Sequence, residues 1–110
     1  MSDARDRLHA AKARMQGFAK AAGPTMQAFA GVTKAATQGD GFDSGQREVI
    51  AVALSVAKGC DDCILYHVDA AKRHGAEEAS LVAALEVAVE MGGGPAVMYA
   101  ARALEAWRDL

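Results

Sequence analysis

Apolar side chains recur three or four positions apart along almost the whole chain, and charged or small polar residues fill the positions between them. This spacing places the apolar side chains on one side of an α-helix. Glycine and proline interrupt the pattern at five places, which indicates turns between helices. The pattern therefore predicts six helices, at about residues 3–20, 25–37, 43–58, 60–74, 77–91 and 95–108.

The third predicted helix is the most apolar part of the chain. Between Val49 and Ala57 only Ser55 is polar. A helix that is apolar on every face is usually buried on every face, so we expect this helix to lie at the centre of the fold. Asp43 and Gln46 have the spacing of a capping box at its start, and Gly59 follows its last turn.

The composition supports an all-α fold. Alanine, the best helix former, accounts for 26 of the 110 residues, whereas Val, Leu, Ile, Met, Phe and Trp together account for only 27. A short chain with few large side chains must build its core from close contacts between alanine-rich helices. We expect other copies of the chain to cover some helix faces, which predicts a homo-oligomer.

Length and charge exclude several classes of protein. A chain of 110 residues forms one domain, and its net charge of −2 excludes a strongly basic nucleic-acid binder and gives no attraction to a membrane surface. No apolar run is long enough to span a bilayer. The first residues have no apolar core and include Asp3 and Asp6, so we expect no secretory or transit signal and a cytoplasmic protein.

The sequence Cys60-Asp61-Asp62-Cys63 lies at the predicted start of the fourth helix. Two thiols one helical turn apart can form a disulfide with little change in the backbone. The amide groups and dipole of a helix N-terminus lower the pKa of a nearby thiol. The two aspartates stabilise a helix start but oppose ionisation of the thiols, and the sequence leaves their net effect open.

Two further residues point to the same place. His67 follows Cys63 by four positions, so it lies on the same helix face and can accept a thiol proton directly or through one water. Glu48 opens the most apolar stretch of the chain. Since the third and fourth helices meet at Gly59 almost without a loop, they should run antiparallel and bring Glu48 close to His67.

Other interpretations remain open for these residues. The cysteines could be small core residues of a helical scaffold. A zinc site is also conceivable, although its ligands would all come from one helix: Cys60, Cys63, His67 and His74. His74 more often stabilises a helix C-terminus at such a position, and we expect Tyr66 and Tyr99 to pack rather than to react.

At these spacings the residues resemble a known family. Glu48, the Cys60-x-x-Cys63 pair and His67 match the E…CxxCxxxH signature of the AhpD-like alkylhydroperoxidases, within the carboxymuconolactone decarboxylase superfamily. The resemblance runs from about Phe42 to Trp107. It implies an all-helical AhpD-like bundle of about six helices, with residues 1–41 as N-terminal helices and 42–110 as the core of one single domain. It also implies a hexamer or a trimer.

The resemblance further implies a chemistry. Cys63 would attack a hydroperoxide or disulfide substrate, Cys60 would resolve the product as a disulfide, and Glu48 and His67 would relay the proton. Electrons would come from a lipoylated or thioredoxin-like protein, with no cofactor or metal. From position alone Cys60, nearer the helix tip, is the other candidate for the attacking thiol.

One position departs from the resembling family. Asp62 stands where the best-studied members carry a histidine, so the proton route can differ here. The runner-up function is that of a lactone decarboxylase of the same fold. That branch generally lacks the CxxC pair, and such an enzyme would act with both cysteines replaced by alanine.

Overall fold

The computed structural model describes residues 2–110, and every regular element in that range is a helix. The predicted all-α fold is confirmed. The helices are α1 (Asp3–Ala21), α2 (Gly23–Ala36), α3 (Ser44–Lys58), α4 (Asp61–Arg73), α5 (Glu78–Gly92) and α6 (Gly94–Asp109).

The α3–α4 hairpin forms the middle of the fold, because α3 packs most closely against α4 and next against α5. Helix α3 begins at the predicted capping box. The Gln46 N–H donates to Asp43 Oδ1 at 2.8 Å, and the Asp43 N–H donates to Gln46 Oε1 at 2.9 Å. Its end is Gly59, whose φ of +69° is a left-handed conformation that glycine adopts without strain. Only Gly59 and Cys60 separate α3 from α4, so the two helices must fold back on each other.

The hydrophobic core gathers one face from each helix except α2. It contains aliphatic side chains that are almost completely buried, with the Trp107 ring at its edge. The largest of the fully buried side chains are Leu8, Val52, Val56, Ile64, Val68 and Leu81. Many remaining contacts involve alanine, such as Ala71 and Ala103, which lets the helix axes approach closely.

The prediction that α3 is buried on every face is wrong for the single chain. Its buried positions face α4, α5 and α6, but Ile50 is 40% exposed and Leu54 is 58% exposed. Apolar side chains alone do not bury a face. A further helix must cover it, and none of the described helices of this chain covers this one.

The two N-terminal helices differ in how they are held. The first half of α1 buries Ala4, Leu8 and Ala11, whereas Phe18 in its second half is 59% exposed. Helix α2 packs mainly against α1 and has no buried side chain. The loop from α2 to α3 is tied by Arg47, whose guanidinium donates to the backbone carbonyls of Ala36, Asp40 and Phe42.

None of the helices in residues 2–110 combines the length and the apolar character that crossing a bilayer requires.

Candidate functional site

The two cysteines lie at the first turn of α4, where the sequence placed them. Cys60 is the N-cap residue, Cys63 lies in the first turn, and they form a disulfide with their Cα atoms 5.2 Å apart. The Cys63 N–H donates to Cys60 Sγ at 3.2 Å, so a sulfur atom caps this helix. Both residues are only partly buried, which leaves the disulfide within reach of a small reactant.

Glu48 and His67 meet across the hairpin. Glu48 Oε1 lies 2.8 Å from His67 Nδ1, and the side chain of Glu48 is 5% exposed while that of His67 is 28% exposed. The structure therefore brings together the two residues that the antiparallel arrangement predicted to approach. Among residues 2–110, Glu48 is one of three buried polar or charged residues, and the His67 ring is its hydrogen-bond partner.

This contact decides which ring nitrogen of His67 can do chemistry. A carboxylate at Nδ1 favours a hydrogen on that nitrogen, so in the neutral ring Nε2 carries the free lone pair. His67 also lies one helical turn beyond Cys63 on α4. The site thus offers two thiols when reduced, and a proton acceptor whose tautomer is set by a buried acid.

The two aspartates between the cysteines each form an ion pair with a different helix. Arg102 Nη1 of α6 lies 3.0 Å from Asp61 Oδ2, and Arg14 Nη2 of α1 lies 3.0 Å from Asp62 Oδ2. Both arginines were missed by the sequence analysis. They stand 41 and 48 positions away in sequence, and no local pattern connects them with the CxxC pair.

Tyr99 of α6 packs against the link between α3 and α4, as its expected packing role requires. A Cβ atom added at Gly59 would lie 3.3 Å from the Tyr99 ring, so a larger residue there would require the ring to shift slightly, in addition to the strain of its positive φ. The guanidinium of Arg102 also lies over the Tyr99 ring, 5.9 Å from its centre. Tyr99 therefore lies against the residue that precedes Cys60, with Arg102 on its ring.

Asp69 of α4 is a buried acid like Glu48 of α3, and the sequence analysis missed it too. Burial raises the pKa of Asp69, but hydrogen bonds from Arg73 and Arg5 and the charge of Lys12 outweigh this and hold the pKa below its usual range. The Arg5 and Arg73 nitrogens lie 3.2 and 3.0 Å from its carboxylate. Two of these three cations come from α1, so Asp69 anchors α1 on the helix that carries the cysteines.

The donors of the zinc alternative are used differently in the structure. Cys60 and Cys63 are joined in the disulfide, His67 binds Glu48, and His74 is the exposed C-cap residue of α4, the capping position that the sequence favoured for it. Across residues 2–110, no group of three or more His, Cys, Asp or Glu side chains is arranged to hold a metal ion.

Fold and site together define a small all-helical protein with a CxxC disulfide at a helix start beside a buried glutamate–histidine pair. The chain belongs to the carboxymuconolactone decarboxylase family, whose model matches residues 23–106. The match begins at the start of α2, earlier than the predicted resemblance from Phe42, so the family pattern includes the exposed second helix.

Two proteins of other bacteria and one solved structure are similar to most of this chain. An uncharacterized protein of Cupriavidus necator is 45% identical over 103 residues, covering 94% of this chain and 91% of its own. Uncharacterized protein 4 in the cox locus of Paracoccus denitrificans is 35% identical, covering 70% of this chain and 69% of its own. The crystal structure of an apo carboxymuconolactone decarboxylase family protein from Legionella pneumophila matches with a TM-score of 0.87 and 36% identity, over 94% of this chain and 96% of that chain.

Proposed function

We propose that this protein is a thiol-dependent peroxidase of the alkylhydroperoxidase type, which reduces hydroperoxides through a dithiol–disulfide cycle of Cys60 and Cys63. The observation that carries the proposal is the contact of the buried Glu48 carboxylate with His67 Nδ1 at 2.8 Å, one helical turn from a CxxC disulfide. A purely structural disulfide has no need of a buried carboxylate that orients an imidazole beside it.

The first step oxidises one thiol. His67 Nε2 takes the proton of the Cys63 thiol, directly or through one water, and Glu48 stabilises the imidazolium that forms. The thiolate attacks the terminal oxygen of the hydroperoxide. The O–O bond breaks, an S–O bond forms, and the alkoxide that leaves takes the proton from His67. The products are a sulfenic acid on Cys63 and an alcohol.

The second step closes the disulfide. The Cys60 sulfur attacks the Cys63 sulfur, an S–S bond forms, and the sulfenic oxygen leaves as water with the Cys60 proton. Each turnover thus converts one hydroperoxide and two thiols into one alcohol, one water and one disulfide. An external dithiol, carried by a lipoylated or thioredoxin-like protein, returns both cysteines to thiols by exchange.

The test is a thiol titration. The reduced protein should present two thiols, and one equivalent of an alkyl hydroperoxide should leave none, with Cys60 and Cys63 recovered in one disulfide-linked peptide. In Cys60→Ser the reaction should stop at a sulfenic acid on Cys63, which dimedone traps. Two free thiols after hydroperoxide, or higher oxides without a disulfide, would contradict the proposal.

The Cys60→Ser variant also identifies the electron donor. After hydroperoxide, the sulfenic acid on its remaining thiol, Cys63, should condense with one thiol of the donor and release water, and acid quenching should preserve this mixed disulfide before the second donor thiol attacks it. A cycle that needs continual reduction suits a compartment that keeps thiols reduced, and we therefore place the protein in the cytoplasm.

We propose that the protein works as a homo-oligomer, a hexamer or otherwise a trimer. The support is a set of exposed large apolar side chains on α2, α3, α5 and α6, of the kind that subunit interfaces bury. They include Phe29, Val32, Leu54, Val87, Met91 and Met98. Light scattering should give a mass of three or six chains, and a stable monomer at micromolar concentration would refute this assembly.

A further inference from the structure

We propose that Arg14 and Arg102 are positioning residues that tune the acidity of the CxxC thiols by neutralising Asp62 and Asp61. This rests on the proposed function only in requiring that a thiol ionise before it reacts. The two aspartates lie in the first turn of α4, next to the cysteines, where an unpaired negative charge would oppose thiolate formation.

The geometry assigns one arginine to each aspartate. Arg102 Nη1 reaches Asp61 Oδ2 from α6, and Arg14 Nη2 reaches Asp62 Oδ2 from α1, both at 3.0 Å. The two arginines thus approach the CxxC pair from two separate helices. The Arg102 guanidinium is further held over the Tyr99 ring, which itself lies against Gly59.

Helices α3, α6 and α1 pack against α4, and α6 contributes Arg102 at its start; the other charged groups lie on α3, α4 and α1. Helix α3 contributes Glu48 and, in its last turn, Lys58. On α4 itself His67 binds Glu48. On α1, Lys12 lies over the Tyr66 ring and close to Asp69. None of these groups makes an ion pair with Asp61 or Asp62, so the compensation of those two carboxylates falls to Arg102 and Arg14.

Charge balance gives each substitution a sign. Within a pair the two charges cancel, and the helix N-terminus is then free to favour the thiolate. Removing an arginine leaves one negative charge and should raise the thiol pKa, whereas removing the aspartate leaves one positive charge and should lower it. A unit charge about 8 Å away in water-like surroundings shifts a pKa by about 0.4 units.

The experiment measures the rate of iodoacetamide alkylation against pH in the fully reduced protein, with peptide mass spectrometry to identify the cysteine modified. Arg102→Gln and Arg14→Gln should each move the midpoint up by about 0.4 pH units, and Asp61→Asn and Asp62→Asn should move it down by a similar amount. The double variants Arg102→Gln/Asp61→Asn and Arg14→Gln/Asp62→Asn should return near the wild-type midpoint. In 1 M NaCl, where the Debye length falls to about 3 Å, the shifts should shrink.

The matched control is the ion pair of Arg108 with Glu78, which joins α6 to α5 away from the CxxC turn. Arg108→Gln and Glu78→Gln should leave the midpoint unchanged. Loss of a helix contact alone would move the two members of a pair in the same direction, because either substitution breaks the same contact. Shifts of equal sign within each pair, or shifts no larger than those of the control pair, would overturn the proposal.

Alkylation needs no hydroperoxide and no electron donor. If the charge shifts occur and hydroperoxide leaves both thiols free, the proposed peroxidase activity fails while the role of the arginines stands. If hydroperoxide closes the disulfide and the shifts are absent, the activity stands and the role of the arginines fails.

Discussion

The α3–α4 hairpin and helix α2 are both alanine-rich helical segments, but only the hairpin contributes buried side chains to the core of the chain. In the hairpin the buried acids Glu48 and Asp69 have partners within the same chain, and Val52, Val56, Ile64 and Val68 are buried in the core, although Ile50 and Leu54 of α3 are exposed. Helix α2 buries no side chain and exposes 56% of Phe29. One chain therefore brings Glu48, His67 and the two cysteines together, whereas its second helix buries no side chain within that chain.

Helix α1 is intermediate between these two regions. Its first half behaves like the hairpin, with Leu8 fully buried and Arg5 bound to Asp69 of α4. Its second half behaves like α2, with Phe18 exposed. The change from buried to exposed side chains thus lies in the middle of α1, close to Arg14 and its ion pair with Asp62.

The largest effect is expected inside the hairpin, from Glu48→Gln. If Glu48 acts on the thiols through His67, hydroperoxide reduction at neutral pH should slow by about 100- to 10,000-fold, the usual contribution of a general base. The effect should overlap with that of His67→Gln, because both residues belong to one relay. Stopped-flow rates for the two single variants and the double variant test this.

The control for that prediction is Glu86→Gln, at an exposed position on α5, which should keep the wild-type rate. If Glu48 only stabilises the helix, Glu48→Gln should also keep the wild-type rate. Full activity in both Glu48→Gln and His67→Gln would remove the relay and leave thiols activated by the helix terminus alone.

The next effect contrasts the two halves of α1. Leu8→Ala opens a cavity in the core and should lower the free energy of unfolding by about 2–5 kcal/mol. Phe18→Ala, on the same helix but largely exposed, should change it far less in the dissociated chain. Urea unfolding followed by circular dichroism measures both. Equal losses of unfolding free energy in the two variants would show that the second half of α1 stabilises the chain as much as the first half does.

A smaller and pH-dependent effect is expected at Asp69. Because its pKa is lowered in the folded protein, its carboxylate stabilises the fold above the unfolded-state pKa of about 3.9, and this contribution disappears as the pH falls through the folded-state value. Asp69→Asn should lose about 1.5–3 kcal/mol at pH 7, the range of hydrogen bonds to charged groups. The difference from wild type should narrow towards pH 3.

The comparison for Asp69 is Glu78→Gln. The hydrogen bond from Arg108 lowers the pKa of Glu78, but the two side chains are 63% and 41% exposed and solvent screens the pair. Urea titrations at pH 7 and pH 3 should therefore show a larger pH-dependent loss of unfolding free energy for Asp69→Asn than for Glu78→Gln. An equal loss of unfolding free energy at both pH values would mean that Asp69 holds α1 through side-chain packing rather than through its negative charge.

The smallest effect on the fold is expected in α2. Phe29→Ser should leave the helical content unchanged, because Phe29 packs little within its own chain, but it should lower the mass measured by light scattering if α2 is a subunit contact. Gln27→Ser, at a neighbouring exposed polar position, should leave that mass unchanged. An unchanged mass in Phe29→Ser would remove α2 from the interface.

Much of this architecture could be read from the sequence, because the signals involved are local. The apolar spacing located all six helices, and the capping box at Asp43 and Gln46 marked the start of α3. The approach of Glu48 to His67 was also predictable, although they are 19 positions apart. The link through Gly59 is so short that two antiparallel helices have hardly any other way to align.

Only the tertiary structure determined the ion pairs and the exposed apolar faces, because both depend on how helices distant in sequence pack together. Which cations meet Asp61, Asp62 and Asp69 depends on how α1 and α6 cross α4, and no periodicity records that crossing. The exposed face of α3 has the same origin. Its residues Ile50 and Leu54 are as apolar as the buried ones, and only the positions of the neighbouring helices determine which of these side chains meet solvent.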